Sequence, residues 1–290
     1  MGSLAGVPIR SKTAFACAAG SLALLVLVWL LALHVGAFER ADQAIFKGFV
    51  DLHDHGRIQT LAGHIARLCS PSPWIYFAAL PVLVALARRR PRLAAAVAAI
   101  LIGANVTTQL LKPLLAEPRA HWLLSGEQVV SPASWPSGHA TAAMSLALTS
   151  VLAAPPRVRP LVAALGAAFA VAVSYSFLTL GWHYPSDVFG GFLVAATWTL
   201  LAVGALRATD PRARRRAVAE TGEHVPVGEA LAPPLAALAA AIVLACLAFV
   251  LQPHGVLDYV RGHKTFVVGA AAIGALGLTL ATGVMMAVRR

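Results

Sequence analysis

Apolar runs long enough to cross a lipid bilayer recur along this chain. The hydrocarbon core of a bilayer is about 30 Å thick, and a helix needs roughly 20 consecutive apolar residues to span it. Eight runs approach that length: 14–37, 73–87, 93–112, 138–154, 161–182, 186–206, 233–251 and 266–288. Because backbone polar groups must be hydrogen-bonded inside lipid, each run is predicted to be an α-helix. The sequence therefore predicts an all-α, polytopic integral membrane protein with about eight transmembrane helices.

The composition excludes the soluble classes of protein. Apolar residues make up 59% of the 290 residues and charged residues only 12%, whereas an ordinary soluble domain carries about 25% charged residues. Soluble globular, disordered and collagen-like chains are therefore excluded. The first apolar run is longer than the core of a signal peptide, which has about 7–15 residues, so we expect it to be a retained helix.

The placement of the basic residues predicts the topology of the chain. The formal net charge is +11, and with the N-terminus in the cytoplasm fifteen of the 23 lysine and arginine residues fall in cytoplasmic segments. This distribution follows the positive-inside rule, so the basic excess needs no nucleic-acid partner to explain it. We expect a multi-pass protein of a bacterial cytoplasmic membrane with both termini in the cytoplasm.

Three parts are predicted along the chain. Residues 1–206 would form a six-helix core, residues 207–232 an arginine-rich cytoplasmic linker, and residues 233–290 an additional transmembrane helix pair. Residues 38–72 of the core form a long segment on the outer side, in which apolar residues recur at the spacing of an amphipathic interfacial helix. These apolar residues are Ile58, Leu61, Ile65 and Leu68.

Three clusters of polar residues fall at the predicted outer ends of helices. Lys112 closes the third run, and Arg119 follows seven residues later. The motif Trp135-Pro136-Ser137-Gly138-His139 opens the fourth run, and Gly181-Trp182-His183-Tyr184-Pro185-Ser186-Asp187 joins the fifth run to the sixth. Ionisable side chains near membrane depth are costly and usually functional. Their common side and depth predict one extracytoplasmic site.

The residue types in two of these clusters suit a phosphate group. Lys112 and Arg119 supply positive charge and hydrogen-bond donors. Ser137 and Gly138 stand where a helix begins, so that free N–H groups and the positive end of the helix dipole can face an anion. The absence of a side chain at Gly138 lets an oxygen atom come close.

Two histidines and an aspartate supply the elements of phosphoryl transfer. His183 and Asp187 are four residues apart at a helix start, so the carboxylate can hold one imidazole nitrogen and leave the other as a nucleophile. His139 can protonate the departing oxygen and then activate water. The set predicts phosphoryl transfer through a phosphohistidine, with cations and N–H groups stabilising the phosphoryl oxygens.

These motifs resemble those of the type-2 phosphatidic acid phosphatase family, a relative of the vanadium haloperoxidases. The family motifs are Lys-(six residues)-Arg-Pro, Pro-Ser-Gly-His and Ser-Arg-(five residues)-His-(three residues)-Asp, and the similar residues here span positions 112–187. The resemblance implies that His183 is the nucleophile, Asp187 its partner and His139 the general acid. It assigns phosphate binding to Lys112, Arg119, Ser137 and Gly138, and it implies neither a metal nor any other cofactor.

The resemblance implies a metal-independent lipid phosphatase whose partners are the bilayer and a lipid phosphate reached from the outer leaflet. A polyprenyl diphosphate and a glycerolipid phosphate both fit that description.

Phe177 stands where the third motif has arginine, and Ala120 stands where the first has proline. The missing arginine leaves open a lipid phosphotransferase, and the additional helix pair leaves open a non-catalytic lipid-binding membrane protein.

Other polar residues have structural interpretations. Arg119 could instead pair with Glu117 or Glu127 in an outer loop. Two polar stripes on the third and fourth runs are expected chiefly to hold those helices together. Their members are Asn105, Thr108, Gln109 and Lys112, and then Ser137, Thr141, Ser145 and Thr149.

The remaining histidines are not predicted to bind a metal. The group His53, Asp54, His55 and His64 lies in a loop and has no matching distant ligand. His263, between the last two runs, is expected to be solvated. We therefore predict that the chain has no metal site.

Overall fold

The computed structural model describes residues 10–52, 56–119, 130–209 and 253–288, together with positions 235, 238 and 239. Ten helices fill the four described ranges. They are α1 (Ser11–His34), α2 (Gly36–Val50), α3 (Gly56–Arg67), α4 (Pro71–Ala87), α5 (Pro91–Leu114), α6 (Gly138–Ala153), α7 (Arg159–Thr179), α8 (Pro185–Ala208), α9 (Pro253–Gly262) and α10 (Lys264–Ala287).

Five of these helices are long and apolar enough to cross a membrane: α1, α5, α7, α8 and α10. A sixth candidate span is the pair α3 and α4, which is bent by 55° at the break between them. The prediction of an all-α, multi-pass membrane protein is confirmed. A predicted apolar run coincides to within a few residues with each of α1, α4, α5, α7, α8 and α10, since the run is what makes a helix stable in lipid.

Helix α6 coincides with the predicted run 138–154 but is shorter than the five candidate spans. This helix has only 16 residues and falls below the length of a candidate span. It is also almost entirely buried by other helices, so its apolar residues pack against protein rather than lipid.

The segment predicted as an outer loop is mostly helical. It contains α2 and α3, and the amphipathic helix expected there is α3, which carries exposed Ile58 and Leu61 and buries Ala62 and Ala66. Helix α3 packs against α7, and α2 packs against α7, α8 and α10.

Helix α8 lies at the centre of the fold, packed against α1, α5, α6 and α10. Two glycines allow α6 and α8 to approach closely. A Cβ atom on Gly191 would lie 2.6 Å from the Ser137 carbonyl oxygen, and one on Gly190 would lie 2.9 Å from the Trp135 indole. Side chains of ordinary size at these two positions would separate the helices.

The polar stripes hold helices together, as predicted. The hydroxyl oxygens of Thr108 on α5 and Thr141 on α6 lie 2.9 Å apart, and Asn105 donates to Ser145 at 3.4 Å. These contacts fix the distance between α5 and α6.

The last helix is part of the packed core. Helix α10 packs against α7, α2, α6 and α8, and Tyr175 of α7 donates a hydrogen bond to the Ala270 carbonyl. Most of the predicted linker 207–232 and of the run 233–251 lies outside the described residues, although α8 continues two residues into the linker.

Candidate active site

Four helix ends meet at the predicted site. The C-terminal ends of α5 and α7 and the N-terminal ends of α6 and α8 carry the three polar clusters. The Ser137 backbone N–H, just before α6, donates to the Asp187 carbonyl of α8 at 2.9 Å. This bond ties the starts of the two helices together.

A tight turn places His183 between α7 and α8. The N–H groups of Gly181 and Trp182 donate back to the carbonyls of Leu178 and Phe177, each at 3.0 Å. Gly181 has a φ of 74°, a left-handed conformation that glycine adopts without strain. His183 therefore follows directly after a helix end of fixed geometry.

His183 and Asp187 are hydrogen-bonded. His183 Nδ1 lies 3.2 Å from Asp187 Oδ2, which also accepts the Tyr184 backbone N–H at 3.0 Å. Asp187 is fully buried and His183 is 7% exposed. Because Nδ1 faces a carboxylate, the other ring nitrogen, Nε2, is left for a substrate.

His139 lies across the site from His183. The two ring centroids are 6.4 Å apart. The buried Phe177 ring centroid lies 5.9 Å from that of His139 and 5.2 Å from that of His183. The Trp182 ring packs on the outer side of His139 at 5.6 Å. The two imidazoles and the Phe177 ring thus form one cluster, with an aromatic side chain where the family motif has arginine.

Lys112 reaches the start of α6. A Cβ atom on Gly138 would lie 3.7 Å from Lys112 Nζ and 3.2 Å from Gln109 Nε2. Ser137 caps the helix, its Oγ accepting the Ala140 N–H at 3.3 Å. The structure therefore brings one ammonium group, one amide and a helix N-terminus to the same point.

Arg119 lies beside the pair formed by His183 and Asp187, but its guanidinium is bound to carboxylates. Nη2 donates to Asp187 Oδ1 at 2.6 Å and Nη1 donates to Asp42 Oδ2 at 3.1 Å. The guanidinium also stacks over the Tyr184 ring at 4.6 Å. The sequence offered Glu117 and Glu127 as alternative partners for Arg119. Glu117 Oε1 instead lies 3.8 Å from His34 Nδ1, and Glu127 lies outside the described residues.

Asp42 is the site residue that the sequence did not reveal. It comes from α2, far along the chain from the motifs, and it is 8% exposed. Its carboxylate accepts the Ser186 N–H at 2.9 Å and the Ser186 hydroxyl at 2.6 Å in addition to Arg119. Burial is the main reason that the pKa of Asp42 rises to about 6, although the Arg119 charge and the Ser186 hydrogen bonds lower it.

A groove opens beside the histidines between α3 and the turn after α7. Its volume is about 380 Å³, and its lining includes Gln59, His64 and Arg67 of α3 together with Leu180 and Trp182. Because Trp182 also contacts His139, the groove reaches to within one side chain of the imidazoles. Its lining combines a guanidinium and an imidazole with apolar surface.

The described ranges contain no group of three histidine, cysteine, aspartate or glutamate residues that could hold a metal ion. The sequence offered His53, Asp54, His55 and His64 as a possible metal-binding group. The first three of these residues lie outside those ranges. His263 was expected to be solvated, and that expectation is wrong, since its Nε2 lies 2.7 Å from Asp51 Oδ2.

The motif residues and the fold agree with a similarity to the PAP2 superfamily over the central part of the chain. The sequence model of that superfamily matches residues 92–210, a range that includes all three motifs. The resemblance drawn from the motifs is thereby confirmed, and it supports a lipid phosphatase-type function.

A solved structure shares the fold. It is that of a transmembrane PAP2-type phosphatidylglycerolphosphate phosphatase from Bacillus subtilis, with 20% sequence identity and a TM-score of 0.54. The match covers 67% of this chain and 98% of the Bacillus subtilis chain, so about a third of this chain lies beyond the shared fold. Comparison with curated proteins gives no match.

Proposed function

We propose that this protein hydrolyses the phosphate of a membrane lipid through a phosphohistidine formed on His183. The observation that carries the proposal is the pairing of His183 Nδ1 with buried Asp187, opposite a second imidazole 6.4 Å away. A histidine held in this way presents Nε2 as a nucleophile, and the second imidazole stands where a leaving group can be protonated.

In the first step, the Nε2 lone pair attacks phosphorus and the bond from phosphorus to the lipid oxygen breaks. His139, in its protonated form, donates a proton to that departing oxygen. Asp187 accepts the Nδ1–H bond and stabilises the positive charge that develops on the His183 ring. The products of this step are the dephosphorylated lipid and phosphohistidine.

In the second step, water attacks the phosphohistidine. His139, now neutral, takes a proton from the water as its oxygen bonds to phosphorus, and the bond from phosphorus to Nε2 breaks. Inorganic phosphate leaves, and both histidines return to their starting protonation states. The same imidazole thus acts as acid and then as base.

Lys112, Arg119, Ser137 and Gly138 would hold the phosphoryl oxygens. Lys112 Nζ and the N–H groups at the start of α6 converge on one point, where they can stabilise negative charge. Arg119 has five N–H donors, and its bonds to Asp42, Ser186 and Asp187 use three of them. One of the others would bind a phosphate oxygen.

The site would face the outside of a bacterial cytoplasmic membrane, with both termini in the cytoplasm. The distribution of basic residues supports this orientation. A lipid in the outer leaflet could then keep its tail in the bilayer while its phosphate enters the site. A polyprenyl diphosphate and a glycerolipid phosphate are the two substrate classes that we propose.

Phosphate release from a panel of both lipid classes by purified protein tests this function. Wild type should release phosphate and retain labelled phosphate on a histidine after acid-free quenching. His183→Ala should lose both properties, while His34→Ala, which changes a histidine at the end of α1, should keep them. Release of phosphate at the wild-type rate by His183→Ala would refute the mechanism.

Lipid phosphotransfer is the second candidate function, and Phe177 favours it. The side chain is fully buried and packs beside both imidazoles, so this position supplies no cation for phosphate. Turnover that begins only when an acceptor lipid or alcohol is added, with the phosphate recovered on the acceptor, would decide for transfer. Phosphate release without an acceptor would decide for hydrolysis.

A further inference from the structure

We propose that Asp42 is a positioning residue that acts through Arg119 on the Asp187–His183 pair. The proposal rests on the proposed phosphoryl transfer at His183. It assigns a role in that reaction to helix α2, which lies outside the motif segments.

A continuous chain of hydrogen bonds joins Asp42 to the nucleophile. Asp42 Oδ2 accepts from Arg119 Nη1 at 3.1 Å, Arg119 Nη2 donates to Asp187 Oδ1 at 2.6 Å, and Asp187 Oδ2 lies 3.2 Å from His183 Nδ1. The side chains of Arg119, Asp187 and His183 are 6%, 0% and 9% exposed. The chain is therefore shielded from solvent, and each link depends on the one before it.

Asp42 and Asp187 hold Arg119 from two sides. A guanidinium bound by one carboxylate can pivot about that contact, whereas two carboxylates on different helices fix its plane. Ser186 completes the arrangement, because its hydroxyl donates to Asp42 and accepts from Arg119 at 3.0 Å. The orientation of Arg119, and through it that of Asp187, thus depends on α2.

A role limited to docking α2 would not need Arg119. The two bonds from Ser186 to Asp42 already join α2 to the start of α8. The additional contact between Asp42 and Arg119 couples α2 to a residue that contacts Asp187. Removing Asp42 should therefore change catalysis by an amount that depends on whether Arg119 is present.

Helix α2 is itself held at its other end by the C-terminal helices. Asp51, just after α2, accepts from Lys47 at 2.7 Å and lies 2.7 Å from His263 Nε2. Tyr259 of α9 donates to the Gly48 carbonyl, and the Phe266 side chain of α10 fills the space beside Gly48. Asp51 thus provides a matched control: an ion-paired aspartate at the opposite end of α2 that does not contact Arg119.

The test is a double-mutant cycle on phosphate release at neutral pH. Asp42→Asn should lower kcat at least about tenfold and leave KM within about threefold. The reason is that misorientation of the Asp187–His183 pair reduces stabilisation of the transition state more than it reduces substrate binding. In the Arg119→Gln background the same change should alter kcat by less than about twofold. Asp51→Asn should leave kcat within about twofold while lowering the melting temperature.

Two results would overturn the proposal. One is an unchanged kcat in folded Asp42→Asn. The other is an equal loss of kcat from Asp42→Asn with and without Arg119, which would assign Asp42 to the stability of α2 alone. If Asp42→Asn does not purify as folded protein, Asp42→Glu takes its place, since it keeps the charge but displaces it by one methylene group.

Binding of orthovanadate, followed by tryptophan fluorescence, separates this proposal from the proposed function. A mimic of the phosphoryl transition state should bind Asp42→Asn about tenfold more weakly than wild type. If wild type binds orthovanadate but turns over no lipid phosphate, the proposed function is refuted. The comparison of orthovanadate affinity between wild type and Asp42→Asn remains valid in that case. Equal affinity in wild type and Asp42→Asn would refute the role of Asp42.

Discussion

Asp187 Oδ2 lies 3.2 Å from His183 Nδ1, while Oδ1 of the same carboxylate accepts from Arg119 at 2.6 Å. One buried side chain thus connects the proposed nucleophile to a fixed positive charge. The arrangement keeps the carboxylate ionised and the imidazole in a single orientation.

Asp187→Asn should lower kcat by about 10²-fold or more, because an amide cannot stabilise the imidazolium and favours the wrong tautomer. The kinetic constants of purified protein, compared with its melting temperature, measure this effect. Since Asp187 is fully buried against Arg119, some loss of stability is also expected. A variant with normal kcat would exclude Asp187 from the reaction.

Lys112→Met should lower kcat/KM about 10- to 100-fold, since a hydrogen bond to a charged group contributes about 1.5–3 kcal/mol. The long apolar side chain preserves packing around Gln109, so the melting temperature should change little. Arg92→Met, which removes a cation from the opposite end of the same helix α5, is the matched control. An equal effect of the two substitutions would contradict a phosphate contact at Lys112.

Chelators should not change turnover. The proposed mechanism uses only side chains, and phosphate release measured before and after dialysis against excess EDTA should agree within error. Recovery of activity on adding back Mg²⁺ or Zn²⁺ would show instead that a metal takes part.

The groove beside Trp182 should contribute to binding of the lipid head group. Arg67→Gln should raise KM severalfold for a substrate that carries a second anionic group beyond the reacting phosphate, because Arg67 supplies a guanidinium to the lining of the groove. Arg57→Gln is the control, since Arg57 lies on the same helix but lines a neighbouring hollow. Equal KM values for the two variants would remove the groove from substrate recognition.

Two aspartates, Asp42 in α2 and Asp51 just after it, should affect stability with opposite dependence on pH. Burial alone would raise the pKa of Asp51, but Lys47 and His263 lower it below its ordinary value. Its contribution is therefore present above about pH 4 and is lost in acid. The pKa of Asp42 is instead raised to about 6, chiefly by burial, so its contribution is largest in acid and is lost as the pH rises through 6.

Melting temperatures between about pH 2.5 and 7 test these signs, because the Asp51 contribution changes below about pH 4 and the Asp42 contribution changes up to about pH 6. The deficit of Asp51→Asn relative to wild type should grow as the pH rises, and that of Asp42→Asn should shrink. Parallel curves for the two variants would contradict both assignments.

Much of the fold follows from hydropathy because lipid imposes helical structure on any long apolar run. The bounds of α1, α5, α7, α8 and α10 could be predicted in this way. Hydropathy could not show that α6 is buried among other helices, because a helix surrounded by other helices is as apolar as one surrounded by lipid. Only three-dimensional packing separates these two cases.

The motif residues were predictable because each stands at a helix end with a distinctive neighbour. Asp42 was not, since a single acidic residue in an amphipathic segment is ordinary at a membrane surface, and its partners lie 77 and 144 positions away. The pairing of Arg119 with two carboxylates was missed for the same reason. His263 was misjudged because nothing near it in sequence indicates Asp51.

Helices α6 and α8 can approach closely because positions 190 and 191 are glycines, each of which carries a hydrogen atom in place of a side chain. A single methyl group at Gly191 would collide with the Ser137 carbonyl at 2.6 Å and would separate α6, which carries His139, from the start of α8, which His183 closely precedes. The separation of the two imidazoles, which the proposed transfer requires, therefore depends on the smallest residues in the protein as well as on the histidines themselves.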